Sequence, residues 1–264
     1  MKFNKTIVMG ILNVTPDSFS ENGLFFDFDK AINHARQMAK DGAQIIDVGG
    51  ESTRPGSSPV SEKEELMRVR PVIEALSKEI DVPISIDTYK PKVAEDCIKA
   101  GASVVNDITG LANKDMLKIL KKHQVPVVVM HMKGKPRTMQ KNPKYNDVVK
   151  EIKKFFKEKI AIARKAGIKD VIIDPGIGFG KTTEHNLQIL KRLNEFKDLG
   201  KPILIGPSRK TFIGNITGLP LNERLEGTLA SVSIAVMNGA NIVRVHDVKE
   251  CKRAVQIAGA IKGA

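Results

Sequence analysis

Tryptophan is absent from this 264-residue sequence, and tyrosine and cysteine occur only twice each. Without aromatic platforms or an arginine-rich tract, the chain lacks the usual means of stacking a single-stranded nucleic acid, and no nucleic-acid partner is expected. Cys97 and Cys251 lie far apart in helix-like segments, at neither metal nor redox spacing, and read as small buried hydrophobes. No apolar run approaches the roughly 18 to 20 residues of a spanning helix. The opening Met1-Lys2-Phe3-Asn4-Lys5 is followed by an apolar stretch that Gly10 and Asn13 interrupt, with no small-residue cleavage site, unlike a secretory signal. The expectation is a cytoplasmic protein without membrane contact. Composition shifts, long linkers and low-complexity tracts are also missing, which points to one domain over residues 1–264.

What is present in excess is positive charge. Lysine and arginine outnumber acidic residues 43 to 30, a formal charge of +13 that suits an anionic partner without choosing among a phosphorylated small molecule, a nucleic acid and a membrane surface. The densest basic stretch, Lys150 to Ile160, mixes both signs at helical spacing and reads as the solvated face of an amphipathic helix.

Short β-branched runs alternate with longer amphipathic stretches along the whole chain, the pattern of repeated βα units around a parallel sheet. Strands are expected at Ile7 to Leu12, Gln44 to Val48, Ile84 to Asp87, Ser103 to Asp107, Val125 to Met130, Val171 to Asp174, Ile203 to Ile205 and Ile242 to Val245. Helices are expected at Phe28 to Lys40, Ser61 to Glu79, Pro91 to Ala100, Lys114 to Lys122, Tyr145 to Ala166, Glu184 to Phe196, Asn222 to Asn238 and Val248 to Ile261. Gly42, Gly101, Gly167 and Gly239 each follow a helical run and precede a strand, the place of a left-handed C-cap. Eight such units in about 260 residues favour a single (β/α)8 TIM barrel over an open doubly wound sheet. The dinucleotide fingerprint after the first strand is also missing, since Asn13-Val14-Thr15-Pro16-Asp17 stands there.

Functional side chains of a barrel come from strand C-terminal ends and the loops after them. Polar residues collect at those positions: Asn13, Asp47, Asp87, Asn106 with Asp107, His131, Asp174, Ser208 to Lys210, Arg244 and His246. The loops after the first two strands carry Asp17, Phe19, Thr53, Arg54 and Pro55 among Gly, Ser and Pro, and are suited to closing over a ligand. Gly176 to Thr182 ends in Gly-Lys-Thr, but Pro175 holds the position where a phosphate-binding loop needs glycine, so the segment reads as a tight turn whose small residues keep the rim open.

Arg244 and His246 occupy the region where barrels often bind phosphate. Asp87 and Asp174 could accept forked N–H donors of an amino-pyrimidinone ring and balance positive charge there, with Lys210 capping the ring. A metal hydrolase using His131, His246, Asp87 and Asp174 is the competing chemistry, though no His-x-His or His-x-x-x-His pair anchors a zinc site. A nucleophilic Ser208 lacks a histidine nearby in sequence.

Six segments in order carry a resemblance that spans essentially the full chain: Met9 to Ser20, Asp47 to Gly56, Val129 to Met132, Asp174 to Lys181, Gly206 to Lys210, and Arg244 to Asp247. In them the sequence resembles the dihydropteroate synthase family, the sulfonamide target of folate biosynthesis. The resemblance implies a Mg²⁺-dependent transferase that joins 6-hydroxymethyl-7,8-dihydropterin diphosphate to p-aminobenzoate, releasing diphosphate and 7,8-dihydropteroate. Carried over by motif, Asp87, Asn106, Asp174 and Lys210 would hold the pterin, and Asn13 would meet Mg²⁺ and the diphosphate. Thr53, Arg244 and His246 would bind the anion. Asp17, Phe19, Arg54 and Pro55 would close over the site and, with Ser208 and Lys210, form much of the p-aminobenzoate pocket. Asp87, Asp174, Lys210, Asp17 and Arg54 are the expected catalytic set, and the family's habit of dimerising implies a homodimer. The expected order is dissociative: diphosphate, neutralised by Mg²⁺, Arg244 and His246, leaves before the amine attacks. Two departures stand out. Ser20-Glu21-Asn22-Gly23 replaces a common Asp-Gly-Gly, and Thr211 follows Lys210 where Ser is usual. A related barrel that takes a methyl group from a folate would share the ring-binding residues but would not need Arg54 or the closing loops. A non-catalytic basic binding protein would account for the charge and leave the rim unused.

Overall fold

The computed structural model describes residues 3–15, 28–52 and 56–264. Eight strands form a single parallel sheet: β1 (Ile7–Asn13), β2 (Ile45–Gly49), β3 (Ile84–Asp87), β4 (Val104–Asp107), β5 (Val127–Met130), β6 (Val171–Asp174), β7 (Leu204–Ile205) and β8 (Ile242–Val245). Its order is β6-β5-β4-β3-β2-β1-β8-β7, and a parallel bridge between Ile173 and Ile203 joins the two ends into a barrel. Among the described residues the helices are α1 (Phe28–Lys40), α2 (Glu62–Glu79), α3 (Pro91–Lys99), α4 (Lys114–His123), α5 (Val148–Lys165), α6 (Thr183–Lys191), α7 (Thr211–Thr217), α8 (Leu225–Met237) and α9 (Val248–Gly263). The expected (β/α)8 architecture is what the chain adopts. None of these helices is long and apolar enough to cross a membrane.

Burial on both faces explains why the strands read as near-continuous Val and Ile runs. Outward residues such as Val8, Ile46, Ile86, Val105, Val127 and Ile173 join the large core beneath the helices. Inward residues Met9, Ile45, Val104, Val128, Ile172, Leu204 and Ile242 pack on one another inside the barrel.

Local chemistry sets the boundaries. Ser61 accepts from the Glu64 amide at the start of α2, Asn113 from Asp115 before α4, and Asp147 from Val149 and Lys150 before α5. All four glycines read as stop signals have positive φ, between 81° and 120°. Each stands in the same motif: Ala43, Ala102, Ile168 and Ala240 donate their amides to Met38, Cys97, Ala163 and Ala235 at 2.9 to 3.0 Å. One device thus ends four helices and turns the chain into the next strand.

Two expectations differ from the structure. The helix expected from Glu184 to Phe196 stops at Lys191 and continues as a 3₁₀ segment, Leu193–Leu199. Arg192 leaves helical geometry, at φ −107° and ψ 20°, while its guanidinium contacts Glu195 and Asp147. Leu190, Leu193 and Phe196 keep the buried face continuous, which hides the break in the apolar pattern. Helix α7 was not anticipated, because Gly214 and β-branched residues fill it. Phe212 and Ile213 bury its inner side, and a Cβ at Gly214 would lie 2.2 Å from Nη2 of Arg224.

Cys97 and Cys251 are buried free thiols, both pushed up to about 12 by burial, in keeping with their reading as small hydrophobes.

Candidate active site

Strand pleating places residues two apart on the same face, so the inward apolar ring must be followed by a second inward ring nearer the C-terminal end. That second ring is Ile11, Asp47, Asp87, Asn106, Met130, Asp174, Gly206 and Arg244, one residue from each strand or its immediate end. A sealed apolar floor therefore carries a polar layer in which three carboxylates, an amide and a guanidinium meet.

Arg244 organises this layer. Its Nε donates to Oδ2 of Asp47 at 2.6 Å and its Nη2 to Oδ2 of Asp87 at 2.7 Å. Both carboxylates stabilise the cation, raising its pKa. Burial pushes the Asp87 carboxyl up to about 7, with Arg244 opposing and the Asp47 carboxylate reinforcing the shift. The Asp174 carboxyl is also raised by burial, against the Gly176 amide that donates to it at 2.8 Å and the charges of Arg244, Lys181 and Lys210. Asn106 donates its Nδ2 to Oδ2 of Asp47 at 3.0 Å, which turns its Oδ1 away as a buried acceptor without a partner among the described residues. In the sequence Asp47 is one polar strand end among several. Its importance rests on contacts with Asn106 and Arg244, 59 and 197 residues away, and no local pattern displays them. The neighbouring Asp107 is a turn device, accepting from Thr109 and Leu111.

The Gly-rich turn after β6 does the opposite of opening the rim. A Cβ at Gly176, where φ is +72°, would lie 2.1 Å from the His131 carbonyl oxygen, and one at Gly180, where φ is +63°, 2.2 Å from that of Lys133. These glycines let the β6 loop lie directly on the β5 loop. Lys181 then lies 3 % exposed, with Nζ 3.1 Å from His131 Nδ1 and 3.0 Å from the Phe179 carbonyl oxygen. Burial pulls its ammonium down to about 7 and the His131 imidazole down to about 2. The Lys-Thr following the glycines serves loop packing, and neither Lys181 nor its pairing with His131 was anticipated.

On the adjoining side, Lys210 extends over the Phe179 ring with Nζ 4.3 Å from its centroid. Ser208 Oγ lies 3.0 Å from Nδ1 of His246 and accepts the His246 amide at 3.2 Å. Burial and Arg244 push the His246 imidazole down to about 3. Without a bound anion, His246 is held toward its neutral form by burial and by the Arg244 charge. The histidine missing from the sequence neighbourhood of Ser208 is thus beside it in space. Arg244 is no free clamp, since two of its nitrogens already serve Asp47 and Asp87.

Asn13 ends β1 beside Gly49, and no hydrogen bond to its side chain occurs among the described residues. The described residues contain no group of three or more His, Cys, Asp or Glu side chains arranged for a metal. A lone amide oxygen fits an ion that keeps its waters and takes most ligands from a substrate's phosphates, the habit of Mg²⁺.

The second loop is tied at its base. Lys90 contacts Glu51 at 2.6 Å, Glu65 at 2.5 Å and the Val60 carbonyl oxygen at 2.8 Å, while Glu51 accepts from Tyr89 and from the Val60 amide. Both stems of the loop are thus held together across β2 and β3. Asp17, Phe19, Thr53, Arg54 and Pro55 lie outside the described residues.

A family described as pterin binding enzyme matches residues 9–246. The chain is 50% identical over 261 residues to a dihydropteroate synthase from Clostridium beijerinckii, covering 97% of this chain and 94% of that one. It superposes on a Yersinia pestis dihydropteroate synthase, solved in a sulfonamide drug complex, with a TM-score of 0.96 and 45% identity, over 100% of this chain and 97% of that one. A Xanthomonas albilineans dihydropteroate synthase in complex with 7,8-dihydropteroate matches with a TM-score of 0.88 and 37% identity, covering 100% and 96% of the two chains.

Proposed function

Because the chain belongs to the pterin-binding enzyme family and, within it, to the dihydropteroate synthases, we propose that its barrel rim carries out the condensation of that family by releasing diphosphate before the amine attacks. The reaction joins the methylene carbon of 6-hydroxymethyl-7,8-dihydropterin diphosphate to the amine of p-aminobenzoate and yields 7,8-dihydropteroate and diphosphate.

One observation carries the mechanistic reading: Asp87 and Asp174 share one inward ring, Asp174 buried and Asp87 nearly so, and desolvation raises the proton affinity of both. Carboxylates so poorly solvated are strongly stabilised by a cation delivered between them. The pterin ring lies on the polar layer, its N–H donors on Asp87, Asp174 and the unpartnered Asn106 oxygen, with Lys210 and Phe179 at its edge. Asp47 keeps Asn106 and Arg244 in orientation from beneath. As the C–O bond to diphosphate breaks, positive charge spreads over the ring and Asp87 and Asp174 balance it. The departing diphosphate is received by the Nη1 side of Arg244 and by a neutral donor on His246. Mg²⁺, held by Asn13, supplies charge neutralisation on the diphosphate oxygens when bound. The amine then attacks the exposed methylene carbon, and its proton leaves to solvent or diphosphate. Thr53, Arg54, Pro55, Asp17 and Phe19 complete the amine pocket in this reading, presented by the stems that Glu51 and Lys90 hold together.

Release before attack is tested with pterin diphosphate carrying isotopically heavy oxygen in the bridge to carbon, incubated with enzyme and Mg²⁺ without amine. Recovered substrate with heavy oxygen scrambled into non-bridging positions is expected. Turnover-competent enzyme that returns the label unscrambled, even with a slow amine present, contradicts that order.

A homodimer fits the outer surface of α8 and α9. Ile257 and Ile261 are 65% and 62% exposed, and with Met237, Leu229 and Ala254 they line one apolar groove. A second copy of the chain covers such a face with self-complementary packing.

A further inference from the structure

Resting on the reading that diphosphate docks at the end of β8, we infer that Ser208 is a positioning residue that locks His246 in one tautomer. The ring proton sits on Nε2, so the imidazole presents a single, neutral donor to the leaving group. Among the described residues, the hydrogen-bond accounting leaves one arrangement. Ser208 is 4% exposed, and its Oγ already accepts the backbone N–H of His246 at 3.2 Å. The ring atom it contacts is Nδ1, at 3.0 Å. With Nδ1 unprotonated, the hydroxyl proton has an acceptor and both residues are satisfied. With a proton on Nδ1, the hydroxyl would receive two N–H groups and its own proton would be buried without a partner.

Contacts on either side hold the pair in register. Arg209 grips Asp247 with two bonds, Nε to Oδ2 at 3.0 Å and Nη2 to Oδ1 at 2.5 Å. The Arg209 amide donates to Thr228 at 2.9 Å, and Arg224 donates to the Arg209 carbonyl oxygen at 3.2 Å. Arg209 itself has φ +56°, a costly conformation for a side chain of its size. That kink sends Ser208 toward β8 while Lys210 extends over Phe179. Ser208 thus acts on the anion through His246. The charged groups around the ring are Arg244 on the same strand, Arg209 and Lys210 from the β7 loop, and Asp247 next in sequence. Three cations against one carboxylate favour an uncharged imidazole, and a hydroxyl directed at Nδ1 decides which nitrogen carries its proton.

The test combines nitrogen NMR of enzyme labelled in its histidine rings with binding of inorganic diphosphate in Mg²⁺. The His246 signals are assigned by their loss in His246→Gln. Wild type is expected to show a protonated Nε2 and an unprotonated, hydrogen-bonded Nδ1. Ser208→Ala is expected to show mixed tautomers and to bind diphosphate about tenfold more weakly, the worth of one hydrogen bond to a charged acceptor. Ser208→Thr restores both. His246→Gln keeps a donor near the Nε2 position and has no Nδ1, so adding Ser208→Ala to it changes diphosphate affinity little. Mixed tautomers in wild type, or an undiminished Ser208→Ala loss in the His246→Gln background, overturns tautomer control. If the Ser208→Ala tautomer shift appears but His246→Ala leaves diphosphate affinity unchanged, the docking reading fails and the inference falls with it.

Discussion

Replacing Asp87 by Asn removes one charge from the site while keeping its size and hydrogen-bonding capacity. In the wild type the Asp87 carboxylate accepts from Arg244 at 2.7 Å, and in the proposed mechanism it faces the region where pterin charge develops. Two unit charges about 4 Å apart at an effective dielectric of about 20 interact by about 4 kcal/mol. The Asn carbonyl recovers part of this, so a loss of about 2 to 4 kcal/mol in the transition state is expected, or roughly 30- to 1000-fold in kcat. The bound ground state has no ring cation and loses only the extra strength of a charged acceptor, about tenfold or less in pterin affinity. Diphosphate release gives kcat, calorimetry gives pterin affinity, and a thermal melt establishes that the barrel is intact. Equal losses in kcat and affinity would refute differential stabilisation by Asp87. The same residue fixes a pH signature. Burial pushes its carboxyl up to about 7, and the proposed mechanism needs the ionised form, so kcat/KM for the pterin is expected to fall as pH drops through about 7. Asp87→Asn, titrated in parallel, loses that inflection.

Gly176→Ala combines a φ of +72° with a Cβ 2.1 Å from a backbone carbonyl oxygen. A loss of about 3 kcal/mol is expected, seen as a Tm lower by ~6–12 °C; a shift under ~2 °C would show that the β5 and β6 loops are not packed as described. Asn13→Ala raises the Mg²⁺ concentration for half-maximal activity by about tenfold with little change in pterin affinity measured without metal. An unchanged Mg²⁺ requirement removes Asn13 from the metal site. Ile257→Asp places a charge on the α8–α9 face and is expected to yield monomers in sedimentation experiments, with the melting transition dependent on concentration only in wild type.

The barrel was legible because its determinants are local. A strand buried on both faces must be apolar at successive positions, and the four glycine stops write their own φ requirement into the chain. The break at Arg192 was not legible, because Leu193 and Phe196 keep the buried face continuous, and one of the two carboxylates its guanidinium contacts, Asp147, lies 45 residues away. For the site, the period of two already places Asp87, Asn106, Asp174 and Arg244 on the inward face above an apolar ring, and the structure gathers them on one rim with Lys210, Ser208 and His246. Register and charge state lie beyond that reach. Asp47 becomes important only through Arg244 and Asn106, Lys181 only through His131, and the Glu51–Lys90–Glu65 cluster only through the meeting of β2 and β3. The lowered proton affinity of His246 follows from burial beside Arg244, which no spacing of histidines displays.

The central claim is that this rim couples diphosphate departure from the pterin to capture by p-aminobenzoate. The direct test measures diphosphate release from 6-hydroxymethyl-7,8-dihydropterin diphosphate by folded enzyme in Mg²⁺, with and without p-aminobenzoate, and identifies the product by mass. The account predicts sustained release only when the amine is present, matched mole for mole by 7,8-dihydropteroate. Sustained release at the same rate without the amine, or none with it, would contradict the account.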